Sequence, residues 1–234
     1  SSTFATEFRN YENMKKKLFI STILIGLGMM NVQAQTVTHD KEKATQKIKL
    51  TGGTILEGNL TNFIHSGIDK GSSNMGMGTS IGGFLNLGLS SPFSIQGEML
   101  FHYKTSDFNW NNHAGKYQYW GVEIPIYAMY SWNVRNGNQL YIGIGPYTNF
   151  GLGARFKEKG QKIDVYEKEE NTGLPIMKDS DTGFGVKLGY ELISGLQFNV
   201  AYKVSVTNLI DANSSSVKMK PQTFAFGIAY RWGK

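Results

Sequence analysis

The fold class this sequence predicts is all-β, an eight-stranded antiparallel transmembrane barrel with short periplasmic turns and longer extracellular loops. Three observations predict it: apolar residues alternate with small or polar ones over long segments, Gly and aromatics are abundant while Cys is absent, and short and long connections take turns. The clearest pair of segments spans Tyr117 to Gly151, where YQYWGVEIPIYAMYSW and QLYIGIGPYTNFG flank the polar turn NVRNGN. In the first, Trp120, Val122, Ile124, Ile126, Ala128, Tyr130 and Trp132 share one side, and Tyr119, Gly121, Glu123, Pro125 and Tyr127 the other. In the second, Leu140, Ile142, Ile144, Pro146, Thr148 and Phe150 alternate with Tyr141, Gly143, Gly145, Tyr147 and Asn149. An apolar face toward lipid and a small or polar face toward a lumen is the two-residue period of a membrane barrel.

Taken in order, residues 1–13 carry no pattern and are expected to lie outside the fold. From Met14 come three lysines, an apolar run from Leu18 to Met30 and then Val32-Gln33-Ala34, which reads as a signal peptide over 14–34 cut between Ala34 and Gln35. The apolar run is about 13 residues, short of the roughly 20 that a spanning helix needs, so a membrane anchor is the weaker reading. Residues 35–46 form a polar periplasmic lead-in, and 47–234 the barrel domain.

A first strand is expected from Lys47 to Gly58, with a bulge or close backbone approach at Gly52-Gly53, followed by a loop from Asn59 to Asn74. The second, Met75 to Leu89, sets Met77, Thr79, Ile81, Leu85 and Leu87 outward against Ser80, Phe84 and Asn86, and ends at Ser90-Ser91-Pro92. The third, Phe93 to Lys104, turns Gln96, Glu98, Leu100 and His102 inward, before a loop from Thr105 to Lys116. After the central hairpin, Ala154 to Asp181 is the longest loop, part of which can extend the flanking strands. The sixth and seventh strands, Thr182 to Leu192 and Leu196 to Thr207, meet at Ile193-Ser194-Gly195. A loop from Asn208 to Pro221 leads to the last strand, with Phe224, Phe226, Ile228, Tyr230 and Trp232 outward. Every second connection is short, so the short turns share one end of the barrel with both termini.

The alternative is an exported soluble β-barrel or sandwich. Its second face would have to meet water, whereas the Gly, Ser, Asn and Ala found here suit a narrow interior better. Closure into a membrane barrel also leaves no apolar edge exposed. The absence of Cys excludes disulfides and thiolate metal sites. A formal charge of +6, lowered by two when the segment up to Ala34 is removed, is too small and scattered to imply nucleic acid.

Charges on inward positions are the candidate site: Glu98, Glu123, Lys187, Glu191, Lys203 and Arg231, with His102 in register nearby. Buried charges must pair, which predicts a structural salt-bridge network around Glu123 and Arg231 that closes the lumen. A gated ion path is the competing reading. Trp110, Tyr117, Tyr119, Trp120, Tyr130, Trp132, Tyr230 and Trp232 are read as the aromatic girdle. The four histidines, His39, His65, His102 and His113, show no metal-ligand spacing, and no triad stands out, so neither a catalytic residue nor a cofactor is expected.

YWGVEIPIYAMY at 119–130, YIGIGPYTNFGLG at 141–153, TGFGVKLGYEL at 182–192 and GIAYRW at 227–232 resemble the PorT-like outer-membrane β-barrel family of Bacteroidetes-type bacteria. The most specific part is a Glu-hydrophobic-Pro core followed by Gly-x-Gly-Pro-Tyr; the chain departs from the family where Gly233-Lys234 follow Trp232. The resemblance implies an eight-stranded barrel of the Gram-negative outer membrane, surrounded by outer-membrane lipid and delivered by the outer-membrane assembly machinery. A structural or interaction role through the extracellular loops is the expectation, with an extracellular or periplasmic protein as partner. A narrow, porin-like channel for small solutes and a lipid-modifying enzyme are the alternatives.

Overall fold

Alternation with a period of two lets one strand face lipid with every odd side chain and a lumen with every even one, or the reverse, and the sheet obeys it apart from a few local irregularities. The computed structural model describes residues 48–66, 71–110, 113–158, 161–166, 177–210 and 218–233. The elements are β1 (Lys49–Ser66), β2 (Gly71–Ser90), β3 (Phe93–Trp110), β4 (His113–Asn133), β5 (Gln139–Glu158), β6 (Gln161–Asp164), β7 (Ser180–Glu191), β8 (Leu196–Ser205) and β9 (Lys218–Trp232). Each pairs antiparallel with its neighbour, β1 pairs with β9, and β5 pairs with both β4 and β7. Eight staves therefore close into a ring, and β6 is a short flap hydrogen-bonded to the far end of β5. Residues 1–47, with the signal peptide, its Ala34–Gln35 cut, the lead-in and His39, lie outside the described residues.

At the end that carries the short turns, Asn136 and Gly137 take φ of 63° and 76°, the left-handed conformation that makes Asn-Gly a hairpin signal. Gly195, at φ 90°, does the same between β7 and β8, where its amide donates to the Leu192 carbonyl at 2.9 Å. Short turns mark the periplasmic end of such barrels, so the opposite end is the outer one.

Toward that outer end, segments expected to be loops are strands. β1 continues from Gly58 to Ser66 and β2 begins at Gly71, so Asn59 to Asn74 is largely strand, with Asn59 to Thr61 paired to β2, Asn62 to Ser66 to β9 and Gly71 to Asn74 to β3. Likewise β3 and β4 run on through most of Thr105 to Lys116, and β9 takes up the chain from Lys218. Polar composition suggested loops here, but the alternation persists: Asn59, Thr61 and Phe63 are buried inside while Ile64 is exposed. Strands in this region need no apolar face, because ladder hydrogen bonds rather than lipid contact hold them. β1 to β5 are 18 to 21 residues long, against 10 for β8 and 12 for β7.

No bulge occurs at Gly52-Gly53, where the register with β2 and β9 is unbroken. The close approach there is real: the Phe84 ring occupies the space a Cβ on Gly53 would need. Irregularities fall instead between Met75 and Thr79, Gly88 and Ser90, and Trp120 and Gly121.

Outside, Ile81, Ile126, Ile144, Phe184, Val200 and Phe226 place exposed apolar side chains on six different strands. A belt of this kind is favourable only against hydrocarbon. Replacing Ile144, 60% exposed, by Arg is expected to lower the unfolding free energy in lipid vesicles by about 2–4 kcal/mol, measured by urea titration. Near the turn end, Phe93, Tyr130 and Trp132 pack ring to ring, with Tyr130 5.2 Å from Phe93 and 5.8 Å from Trp132, while Tyr230 is exposed and Trp232 half-buried. Trp120, with Tyr103 at 5.6 Å and the Arg155 guanidinium at 5.5 Å, faces outward nearer the other end.

Candidate functional site

Inward positions of six staves bring titratable groups into the lumen: Glu57 from β1, Glu98, His102 and Lys104 from β3, Glu123 from β4, Asp181, Lys187 and Glu191 from β7, Lys203 from β8 and Arg231 from β9, while β5 contributes the uncharged Tyr141, Tyr147 and Asn149. Lys187 Nζ donates to both oxygens of Glu98 at 2.6 and 2.7 Å and lies 3.5 Å from Glu57 Oε1. Lys203 donates to Glu123 Oε1 and stands 3.9 Å from Glu57 Oε2. Lys104 Nζ reaches Glu123 Oε2 at 3.1 Å, with His102 Nδ1 at 3.8 Å from the same oxygen. Glu98 also accepts from Gln96 at 2.8 Å, and Gln96 from Asn86 at 3.2 Å, which extends the file toward the turn end. Tyr127, fully buried, places its ring 5.3 Å from Lys187 Nζ.

A second group is separate. Arg231 pairs with Glu191, Nη2 to Oε2 at 3.0 Å, and donates to Thr51 at 2.7 Å, while Gln197 donates to Glu191 at 2.8 Å. Glu123 and Arg231, expected in one network, therefore belong to two. Arg231 lies one residue from the end of its strand, whereas Glu123 faces Leu100 and Asn149 higher in the barrel. The charged lumenal residues missed from the sequence are Glu57, Lys104 and Asp181. Lys104 was legible as the next inward position after Glu98, Leu100 and His102; Glu57 was not, because the register of β1 was unknown. Together four glutamates face three lysines and one arginine, so this file is electrically balanced.

Above the charges lies an aromatic mouth. Phe63, Tyr117, Tyr119, Ala154, Val165, Met177 and Leu209 form a buried cluster, with Tyr166 and Phe156 packed against it. Tyr117 and Tyr119 are thus no part of the girdle: the inward phase of β4 turns both into the barrel, where Tyr117 meets Phe63 edge-on at 5.1 Å. Trp110 ends β3, and its side chain lies outside what the structure describes. Residues 165–166, 177–179 and 208–210 cross the mouth and are tied to one another and to the staves. Val165 donates to the Ala154 carbonyl at 3.2 Å, Met177 to Val165 at 3.1 Å, Lys178 to Leu209 at 2.8 Å and Leu209 to Met219 at 3.0 Å. Tyr166 folds over Gly151, whose missing Cβ leaves room for its hydroxyl, and burial holds the Tyr166 phenol well above its ordinary pKa, so this wall is neutral. Beneath this cap a small cavity, open to solvent on one side, is lined by Thr61, Phe63, Lys104, Tyr117, Tyr119, Asn149, Tyr166, Lys178, Asp179, Asp181, Leu209 and Pro221.

His65 is half-buried in β1, its Nδ1 3.4 Å from the Phe63 carbonyl, and His113 opens β4 with its side chain outside the described residues. Among the described residues no three His, Cys, Asp or Glu are grouped to hold a metal ion.

Residues 33–211 match the family model described as outer membrane protein beta-barrel domain, which spans well over half of the chain. The chain belongs to this family. Membership in the outer membrane protein beta-barrel domain family agrees with the closed eight-stave ring and its apolar belt. Among solved structures, the outer membrane protein OprG from Pseudomonas aeruginosa is 13% identical at a TM-score of 0.47, the match covering 79% of this chain and 97% of that one. Neisserial surface protein A is 11% identical at a TM-score of 0.43, covering 76% of this chain and 96% of that one. The attachment invasion locus protein Ail of Yersinia pestis, solved in complex with the heparin analogue sucrose octasulfate, is 14% identical at a TM-score of 0.40, covering 78% of this chain and 99% of that one. No curated protein matches the chain.

Proposed function

We propose that the chain is a closed outer-membrane barrel that works through its outer end, by contact with an extracellular protein partner or a surface, and neither passes solutes nor catalyses a reaction. The observation that carries this is the packed lumen. Tyr127, Glu57, Glu123, Lys187 and Gln197 are all buried to 2% exposure or less, and the ion pairs they make run across the bore from one wall to the other. An eight-strand ring is just wide enough for side chains to fill it, and a balanced file of short ion pairs offers a passing ion no unpaired partner. Above it, the strands beyond the belt raise a rim suited to contact rather than conduction.

In this reading the protein is exported through a signal peptide cut between Ala34 and Gln35, is inserted by the outer-membrane assembly machinery, and uses no cofactor. The Glu-Ile-Pro and Gly-Ile-Gly-Pro-Tyr segments support a place among PorT-like barrels of Bacteroidetes-type bacteria within the broader family. Purified protein reconstituted into planar bilayers is expected to be electrically silent across the physiological range of voltage. A steady conductance with defined unit steps would remove the closed-lumen reading.

One observation favours a second reading. The file Lys104, Glu123, Lys203, Glu57, Lys187, Glu98, Gln96, Asn86 is continuous along the bore, so exchanging partners within it could open a narrow path. Under that reading Lys203→Met would convert a silent barrel into a conducting one; under the closed reading it only weakens the fold.

A further inference from the structure

Asp181 is the one lumenal carboxylate left over when the glutamates have been matched to cations. It is 6% exposed, no lysine or arginine of the described residues forms an ion pair with it, and its Oδ2 lacks a hydrogen-bond partner. A buried carboxylate without a cation is costly, and the cost is relieved either by a proton on the carboxyl or by a complementary charge beside it. Its neighbours are short of partners as well. Asn149 stands directly across from Asp181 in the β5–β7 register, and its Oδ1 is also unpartnered, as is the Tyr119 hydroxyl. All three line the cavity beneath the cap, and each side chain is more than nine-tenths buried.

The Asn149 and Ser205 side chains hydrogen-bond the Asp181 carboxyl, which leaves Asp181 Oδ2 and Asn149 Oδ1 in need of donors, and the Tyr119 hydroxyl can accept as well. Around them the wall is aromatic, from Phe63, Tyr117 and Tyr166, whose ring faces attract a cation and not an anion. The other charged groups facing the cavity are engaged: Lys104 is held by Glu123, and Lys178 and Asp179 have interactions of their own. The enclosed part of the cavity takes a group little larger than a water molecule, which suits an –NH3+ head, while its open side leaves room for a stem. A metal ion is a poor match, since the described residues offer no cluster of three ligating carboxylates or histidines.

We infer that the outer mouth is a binding site for a small soluble primary amine, its ammonium group donating to Asp181, Asn149 and Tyr119 beneath the aromatic cap. This goes beyond the contact role proposed above and does not depend on it, since a site at the mouth is compatible with a closed or a conducting bore.

The test uses the full chain, ¹⁵N-labelled, folded in detergent micelles and titrated with n-butylammonium chloride, with tetramethylammonium chloride at equal concentration as the control. The expected result is a saturable shift of the Gly121, Asn149 and Gly151 amide resonances with butylammonium and none with tetramethylammonium, which carries the charge but no N–H. Asp181→Asn, shown to fold by its heat-modifiable gel mobility, should weaken binding tenfold or more, the scale of a lost charge-assisted hydrogen bond. If Asp181→Asn does not fold, Tyr119→Phe decides, with a loss of about threefold expected for one neutral hydrogen bond. Absence of saturation, an equal response to tetramethylammonium, or unchanged affinity in the folded variant would overturn the site and assign the orphaned oxygens to buried water.

Discussion

Lys187→Met is expected to lower the unfolding free energy of the barrel by about 3–5 kcal/mol, the usual cost of removing one partner from a buried ion pair. Lys187 is 1% exposed and serves two carboxylates, Glu98 at 2.6 Å and Glu57 at 3.5 Å. Taking the ammonium away leaves Glu98 with only the Gln96 amide, and Glu57 with Lys203 at 3.9 Å. The cost arises from the stranded carboxylates rather than from the lost attraction, and this distinction can be measured. Lys187→Met combined with Glu98→Gln restores the balance of charge and should recover more than half of the loss. Urea titration of the barrel in lipid vesicles, followed by tryptophan fluorescence, checks both variants. A Lys187→Met barrel as stable as its parent would mean that water reaches the network and that the lumen is not sealed.

Gly145→Val is expected to prevent assembly of most of the chain. A Cβ at Gly145 would fall on the carbonyl oxygen of Ile126, which belongs to the backbone of the adjacent strand and cannot rotate aside. Overpacking usually costs about 1–3 kcal/mol and more where backbone must move, so a loss of about 3 kcal/mol or more is expected. Gly97→Val is the matched comparison. Gly97 has nothing within 4 Å of its missing Cβ and belongs to the outward face of β3, so Val there should change stability by less than about 0.5 kcal/mol. The fraction of each variant running as a compact, heat-modifiable band on a gel reads the difference. Equal yields from the two would mean that the β4–β5 seam gives way more readily than its register implies.

Much of this architecture could be read from side-chain period alone. Glu123, Lys187 and Lys203 fell on the inward face because their strands carry no irregularity between them and the nearest clear apolar positions. What failed were positions whose context was polar on both faces. Asn59 to Ser66 has no lipid to face, so its strand character lies in hydrogen bonds to β2 and β9 that no local composition announces. The pairing of charges failed for a different reason. The period of two gives the face of a residue but not its height, and height decides that Arg231 meets Glu191 and not Glu123. Tyr117 and Tyr119 were misassigned because aromatics near a strand end serve equally as girdle or as cap. Only the crossing of residues 177–179 and 208–210 over the mouth, a contact between segments far apart in the chain, separates the two. Asp181 escaped notice as the first residues of its strand lay in what read as loop.

Unequal stave length gives the outer rim a direction. At about 3.3 Å per residue and a tilt near 40°, the 10 residues of β8 climb roughly 25 Å, no more than the height of the apolar belt itself. The 18 to 21 residues of β1 to β5 climb about twice as far. Among the described residues the rim is therefore a parapet around one side of the barrel and a low sill at β8, where strand ends at the level of the lipid headgroups. A body arriving from bulk solution meets the parapet first. One that travels along the membrane surface meets paired strand of unequal height, tall from β1 to β5 and low at β8.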